Sequence, residues 1–225
     1  MRILTGCVVA AGYRCFPLNY IRYWTELDLR EVCQTLYRRI GKRLMDLFLA
    51  IPIALVLSPV LVAITIAIKS DSPGAIIHRS RRVGLRGVPY DILKFRSMVQ
   101  NASQLGPWFT KPDDPRITRI GRFLRRTSLD ELPQIWNIIR GDMSLVGPRP
   151  DAPQQLATYS EEERQLRYSV RPGLTGLAQV MGRSTLSAED RRKHDLVYAK
   201  SISFGLDMSI LLRTSATVLT GRGSW

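Results

Sequence analysis

The chain has 225 residues, 45% of them hydrophobic, and a mean hydropathy near zero. That allows one ordinary globular domain beside a membrane segment and leaves no room for two full domains. Lysine and arginine outnumber aspartate and glutamate by 33 to 19, a net charge of +14, so the expected partners are anions: lipid headgroups, phosphorylated substrates or nucleic acid. A long apolar run, and the lack of basic residues interleaved with aromatics as a stacking platform, argue against nucleic acid.

Residues 1–35 show no strong periodicity and read as an N-terminal extension of unknown role, with Tyr20, Tyr23 and Trp24 as candidates for an interfacial contact. Cys7, Cys15 and Cys33 all precede the apolar run, are odd in number and have no histidine at metal-ligand spacing, which predicts reduced thiols. The opening Met1-Arg2-Ile3-Leu4-Thr5-Gly6-Cys7 imitates a lipoprotein cleavage box. Six residues cannot hold the charged and apolar regions of a signal peptide, so no cleaved signal is expected.

Residues 47–68 carry no ionisable side chain. As a helix the run is roughly 33 Å long, enough to cross a hydrocarbon core of about 30 Å. Two conformations are open to it, a kinked span or a re-entrant hairpin. Basic residues flank both ends, Arg38, Arg39, Lys42 and Arg43 before and Lys69, Arg79, Arg81 and Arg82 after, whereas a span holds its basic flank mainly on one side. Pro59 removes a backbone donor, and Ser58 can satisfy the carbonyl this frees. Broken at Ser58-Pro59, the run gives arms of roughly 16 and 14 Å, each about half the hydrocarbon thickness. A membrane hairpin is therefore expected over residues 36–69, with Asp46 at headgroup level or paired with Arg43.

Beyond it, β-like runs at residues 75–78 and 89–95, separated by Gly84-Leu85-Arg86-Gly87, predict a small β hairpin. Arg116, Arg119, Arg122 and Arg125 then recur every three residues opposite Ile117, Ile120, Phe123 and Leu124, predicting an amphipathic helix. Its arginines would lie at a headgroup layer, face phosphate, or form a solvated surface. Residues 206–219 are a second candidate interfacial helix, equally compatible with core packing.

Thr127-Ser128-Leu129-Asp130-Glu131-Leu132-Pro133 holds the most reactive pattern. Ser128-x-x-Glu131 could be a plain capping box for a helix over residues 134–139. That would put Pro133 inside the helix, where it deletes a hydrogen bond; proline is better placed as the helix opens. Asp130 and Glu131 then occupy the preceding turn, and an ionised Asp130 is a candidate nucleophile. A carboxylate meeting a diphosphate needs cations around it, usually with a divalent metal. Lys94, Arg96, Arg125 and the proline-bracketed Arg149 are the candidates for phosphate binding. No P-loop or strand-linked Gly-x-Gly-x-x-Gly is present. Pro172, Gly173, Thr175 and Gly176 form the remaining glycine turn, either a tight connection or a nucleotide-sugar contact. His78 and His194 are assigned to neither metal nor catalysis.

Taken in order, the Ser58-Pro59 hairpin, Lys94-Phe95-Arg96-Ser97-Met98, Asp114-Pro115-Arg116-Ile117-Thr118-Arg119-Ile120-Gly121, Ser128-Leu129-Asp130-Glu131-Leu132-Pro133-Gln134, Gly141-Asp142-Met143-Ser144-Leu145-Val146-Gly147-Pro148-Arg149-Pro150 and Arg171-Pro172-Gly173-Leu174-Thr175-Gly176 resemble the bacterial sugar transferase family, the monotopic phosphoglycosyltransferases acting on polyprenyl phosphate. The match covers residues 38–223 and has the look of the family's short form. It implies an α+β, mainly α fold: a re-entrant membrane helix, a small β hairpin and interfacial helices around a compact cytosolic catalytic domain over residues 70–225. It implies a monotopic enzyme on the cytosolic face of the bacterial inner membrane, requiring magnesium. Asp130, matching the family nucleophile, would attack a UDP-sugar, release UMP and hold a phosphosugar that polyprenyl phosphate then accepts. Glu131 matches the second member of the dyad, Lys94, Arg125 and Arg149 match its phosphate-contacting cations, and Asp130 is carried over as metal ligand. Membrane lipids and downstream glycosyltransferases are the implied partners. The rival expectation is a basic, non-enzymatic membrane adaptor in which the acidic pair only caps a helix.

Overall fold

The computed structural model describes residues 32–102, 104–106, 114–182 and 186–220, together with two short strands upstream, β1 (Cys7–Val8) and β2 (Phe16–Pro17), paired antiparallel. Cys15, Tyr20, Tyr23 and Trp24 of the N-terminal extension lie outside the described residues. Cys33 is a free, exposed thiol.

One long helix, α1 (Val32–Asp71), dominates the N-terminal part, with a π-helical turn at Tyr37–Gly41 and two internal prolines, Pro52 and Pro59. Helical structure thus runs through Ser58-Pro59, where the sequence leads one to expect a break. Pro59 cannot donate to the Leu55 carbonyl four residues back. The Ser58 hydroxyl donates to that same carbonyl instead, at 2.7 Å, so the lost bond is replaced within the helix. Both halves of α1 are fastened to the same globule. Met45, Asp46 and Ala50 are buried in the first half, Ile64 and Ile68 in the second, while Leu55, Val56 and Val62 between them are 70, 74 and 58% exposed.

Of the basic residues before the apolar run Arg39 is exposed, while Arg38, Lys42 and Arg43 are bonded to the globule. Lys42 forms a buried ion pair with Asp207 (2.7 Å), which also accepts hydrogen bonds from Tyr37 and Tyr198. Arg38 donates to the Ala199 carbonyl, and Arg43 to the carbonyls of Ile138 and Ile139, groups in the last turn of a helix, where carbonyls look outside the helix for donors. Asp46 is neither at headgroup level nor paired with Arg43. It is 1% exposed and accepts from Ser144 Oγ and Leu145 N, both at 3.0 Å, because its side chain meets the segment at Ser144 while Arg43 leaves toward the carbonyls of Ile138 and Ile139.

The expected hairpin is present as β3 (Ile77–Val83) and β4 (Pro89–Phe95), the first strand extending further than the apolar run indicated. Next comes α2 (Arg119–Thr127), whose N-cap Thr118 accepts from Gly121 N at 2.9 Å. Arg116 lies outside this helix. It is buried and ion-paired with Asp114 at 2.6 Å, so the four-arginine face is reduced: Arg119 and Arg122 are exposed, and Arg125 turns inward. A side chain at Gly121 would run into the Ser97 carbonyl, so glycine lets α2 lie directly on the segment after β4.

The remaining elements are α3 (Gln134–Arg140), β5 (Ser144–Val146), α4 (Glu161–Arg167), β6 (Gly173–Thr175), α5 (Leu177–Met181), α6 (Ala188–Ser201) and α7 (Phe204–Thr220). β5 and β6 pair in parallel. At Gly147 and Gly173 the two chains cross so closely that a β-carbon on either would collide with the other's backbone. One core gathers Ile138, Met143, Val146, Tyr198, Ala199 and Ile210; a second joins Ile64 and Ile68 of α1 to Phe95 and Leu124. On α7, Asp207 and Ile210 are buried and Leu212 is bare, so this helix packs by one face only.

Candidate active site

Asp130 and Glu131 sit on a single 3-10 turn, Leu129–Glu131, between α2 and α3. Ser128 before it adopts a left-handed conformation (φ 58°) and makes no side-chain cap, and Pro133 stands at the start of α3. The capping-box alternative is thereby removed, since the Ser128 hydroxyl makes no capping bond and the α-helix starts only at Pro133. Freed from that duty, both carboxylates face cations.

Glu131 Oε1 accepts from Lys94 Nζ at 2.7 Å and from Arg149 Nη2 at 3.1 Å. Burial pushes its carboxyl up, but the charges and hydrogen bonds of Arg149 and Lys94 outweigh that and hold it at about 2. Asp130 is buried yet makes no ion pair or side-chain hydrogen bond among the described residues. Burial raises its pKa, Lys94 and Arg125 pull it down, and the adjacent Glu131 pushes it up, leaving it above the ordinary carboxylate value. The pair is thus divided: one carboxylate anchors the surrounding cations, and the other is desolvated and uncommitted.

Each cation arrives from a different element. Lys94 comes from β4 and Arg125 from α2, where its Nε donates to Ser97 Oγ at 2.8 Å. Arg149 comes from the turn after β5, and its carbonyl accepts from Arg167 Nη2 at 2.9 Å. Arg167 is itself held between Asp151 (2.7 Å) and Asp195 (2.8 Å). A cleft beside Glu131 is lined by Arg82, Lys94, Gln134, Arg149, Gly173 and Leu174, among others.

Of the residues singled out in the sequence, Asp130, Glu131, Lys94, Arg125 and Arg149 are brought together. Arg96 is not. Its Nη2 donates to the Ser72 carbonyl (2.6 Å) and to Ser72 Oγ (2.9 Å), so it closes the end of α1, because β4 ends at Phe95 and the chain turns away from the cleft. The glycine turn is mainly a connection. Gly173 reaches the cleft wall, but the Pro172 carbonyl accepts from Ser144 N, Thr175 bonds Thr214 at 2.7 Å, and Gly176 packs against the Gly147 backbone. Arg82 and Gln134 are cleft residues the sequence did not reveal. Arg82 lies two strand positions from Ser80 and four from His78, on the face that carries Lys94; that alternation was its only signal, and it needs the register to be read.

Among the described residues no three His, Cys, Asp or Glu side chains gather as a metal cluster. Magnesium, however, takes one or two carboxylates and completes its shell with water and substrate phosphates. Asp130, desolvated and without a cation of its own, fits such a role; Glu131, bound by Lys94 and Arg149, does not.

The profile of one family, described as "Bacterial sugar transferase", matches residues 37–221. The chain belongs to the bacterial sugar transferase family. Among its relatives in that family, the UDP-N-acetylgalactosamine-undecaprenyl-phosphate N-acetylgalactosaminephosphotransferase of Aeromonas hydrophila is 40% identical over 191 residues, 81% of this chain and 44% of that protein. The UDP-glucose:undecaprenyl-phosphate glucose-1-phosphate transferase of Caulobacter vibrioides is 43% identical over 188 residues, covering 80 and 70% of the two chains. The exopolysaccharide production protein ExoY of Sinorhizobium fredii is 39% identical, covering 83 and 88%. Against several larger family members, the Aeromonas transferase included, the matched region is less than half of the relative's length.

Proposed function

We propose that this chain transfers a sugar-1-phosphate from a UDP-sugar to polyprenyl phosphate, as the names of its relatives describe for them, and so begins a lipid-linked glycan of the exopolysaccharide type. The observation that carries the mechanism is the unequal carboxylate pair. Glu131 is neutralised by Lys94 and Arg149, while Asp130 beside it is buried, makes no ion pair among the described residues and is flanked by Lys94 and Arg125.

Asp130 attacks the phosphorus that bears the sugar. A carboxylate oxygen–phosphorus bond forms, the bond to the bridging oxygen breaks, and UMP leaves with that oxygen and its electron pair. A phosphate oxygen of the polyprenyl acceptor then attacks the same phosphorus and the carboxylate departs unchanged, giving the polyprenyl diphosphate sugar. Lys94, Arg125 and Arg149 offset the repulsion between a carboxylate and a diphosphate and stabilise the charge passing to the leaving group. Desolvation strengthens both effects. Magnesium, held by Asp130 with the substrate phosphates, would neutralise further phosphate charge.

For α1 we infer a re-entrant membrane segment on the cytosolic face. Burial of Met45, Asp46 and Ala50 on one half and of Ile64 and Ile68 on the other, with an exposed apolar middle, supports it: both ends return to one globule. Phe123 and Trp136, half exposed on α2 and α3, suit a headgroup layer beside that middle. The decisive test is Asp130→Asn, which keeps the shape and removes the nucleophile. The variant should still fractionate with membranes, and UMP release from a UDP-sugar should fall by roughly three orders of magnitude or more; turnover like wild type would reject Asp130 as nucleophile.

A further inference from the structure

Lys94 is carried by a strand and Arg125 by a helix, whereas Arg149 stands in a turn between Pro148 and Pro150. Of these last three residues only Arg149 has an amide hydrogen to give. The turn is fastened through its carbonyls instead: Pro148 accepts from Gly173 N at 2.9 Å, Arg149 from Arg167 Nη2 at 2.9 Å, and Asp151, just beyond, from Val83 N at 3.0 Å. Two of these ties join main chain to main chain. The one on Arg149 itself comes from a side chain, and is only as firm as whatever holds that side chain.

Arg167, the last residue of α4, is 3% exposed and does not line the cleft. Its Nη1 pairs with Asp151 Oδ2 at 2.7 Å and its Nη2 with Asp195 Oδ2 of α6 at 2.8 Å. Tyr168 donates to the same Asp151 oxygen at 3.0 Å, and the rings of Tyr159 and Tyr168 lie 5.2 and 5.5 Å from the guanidinium. Arg167 thus grips the turn at two points, the Arg149 carbonyl and the Asp151 carboxylate, from an anchorage on α6. Stability alone does not call for such a cluster, since a buried ion pair often does no better than apolar packing of the same volume; a planar fork with several partners does fix direction.

Direction matters at the cleft. Arg149 reaches Glu131 at 3.1 Å with a side chain 48% exposed, so packing confines it little and its reach depends on where the main chain starts it. We propose that Arg167, braced by Asp195, is a positioning residue for the transfer: by holding the Arg149 carbonyl and Asp151 it sets the Arg149 guanidinium against Glu131 and the donor diphosphate. This rests on the transfer reaction proposed above.

The test uses the full chain in nanodiscs and follows the first UMP released from whichever of UDP-glucose, UDP-galactose and UDP-N-acetylgalactosamine the wild type turns over best. Arg167→Lys keeps the charge but presents its donors from one atom and gives up the span. It should slow that release roughly ten- to a hundredfold, the cost of a catalytic cation displaced by about 1 Å. Asp195→Asn loosens Arg167 from the far side and leaves the turn and the cleft as they are; it should cost about three- to tenfold. Arg149→Ala removes the positioned side chain and keeps the carbonyl that Arg167 holds. In that background both substitutions should cost less than about twofold, the non-additivity of residues that act through one another. Equal costs with and without the Arg149 side chain would make Arg167 a stability element and overturn the proposal. Wild-type rates in both single variants, or loss of folding by both as judged by melting temperature, would overturn it too. The transfer reading fails differently, by no UMP from wild type with any donor or by wild-type release from Arg149→Ala, and either result would take this positioning role with it.

Discussion

Replacing Glu131 by glutamine removes the charge that gathers Lys94 and Arg149 while keeping the side chain's size. The folded carboxyl is held at about 2, against 4.5 for an ordinary glutamate. That difference corresponds to roughly 3 kcal/mol of preference for the ionised form. Arg149 is half exposed, 48%, and its share is screened, so about 1–2 kcal/mol is the expected contribution to stability. Because the folded pKa is depressed, the contribution is full above the unfolded value and is lost as pH falls toward 2. At pH 7 the Glu131→Gln variant should therefore melt roughly 2–8 °C below wild type, by calorimetry or fluorescence on purified protein in one detergent. The gap should narrow as pH is lowered from 6 toward 3. Equal melting points at pH 7, or a gap indifferent to pH, would refute the anchoring role and leave the two short contacts to Glu131 energetically idle.

The same substitution bears on Asp130, whose pKa is raised by burial and then by the neighbouring Glu131 charge. In wild type the rate of UMP release should fall on the acid side through a pKa above the ordinary carboxylate value near 4, and in Glu131→Gln that limb should move to lower pH; an unmoved limb would separate the two carboxylates electrostatically. For the membrane segment, single cysteines at Leu44 and Ser70, in a chain with Cys7, Cys15 and Cys33 replaced, should both react with an impermeant maleimide from the cytosolic face alone. Labelling of the two from opposite faces would establish a span.

The Asp130–Glu131 turn was legible because what shapes it is local. Pro133 dictates where α3 begins, and that placement alone separates Asp130 and Glu131 from a capping role. The Ser58 hydroxyl was likewise foreseeable as the partner of the carbonyl that Pro59 frees, although the helix continues where a break was expected. Non-local pairings were not legible. Lys94 and Arg96 are two residues apart and equally basic, yet one enters the cleft and the other closes α1, because the strand ends between them. Asp46 was expected at the membrane surface, but its acceptors are filled by Ser144 and Leu145, nearly a hundred residues away. Arg116 belonged to the arginine stripe by spacing, and Asp114 took it out. Arg82 became visible only with the register of β3 against β4.

Four consecutive residues where β4 ends do unlike work: Lys94 holds Glu131, Phe95 packs on α1, Arg96 grips Ser72 at its end, and Ser97 receives Arg125. They act as a short stay between α1 and the turn that carries Asp130. With α1 in the bilayer as proposed, any tilt imposed on it by a thicker or thinner membrane would be handed, within one or two bonds, to two of the cations facing Asp130, and the host membrane would become a structural component of the cleft.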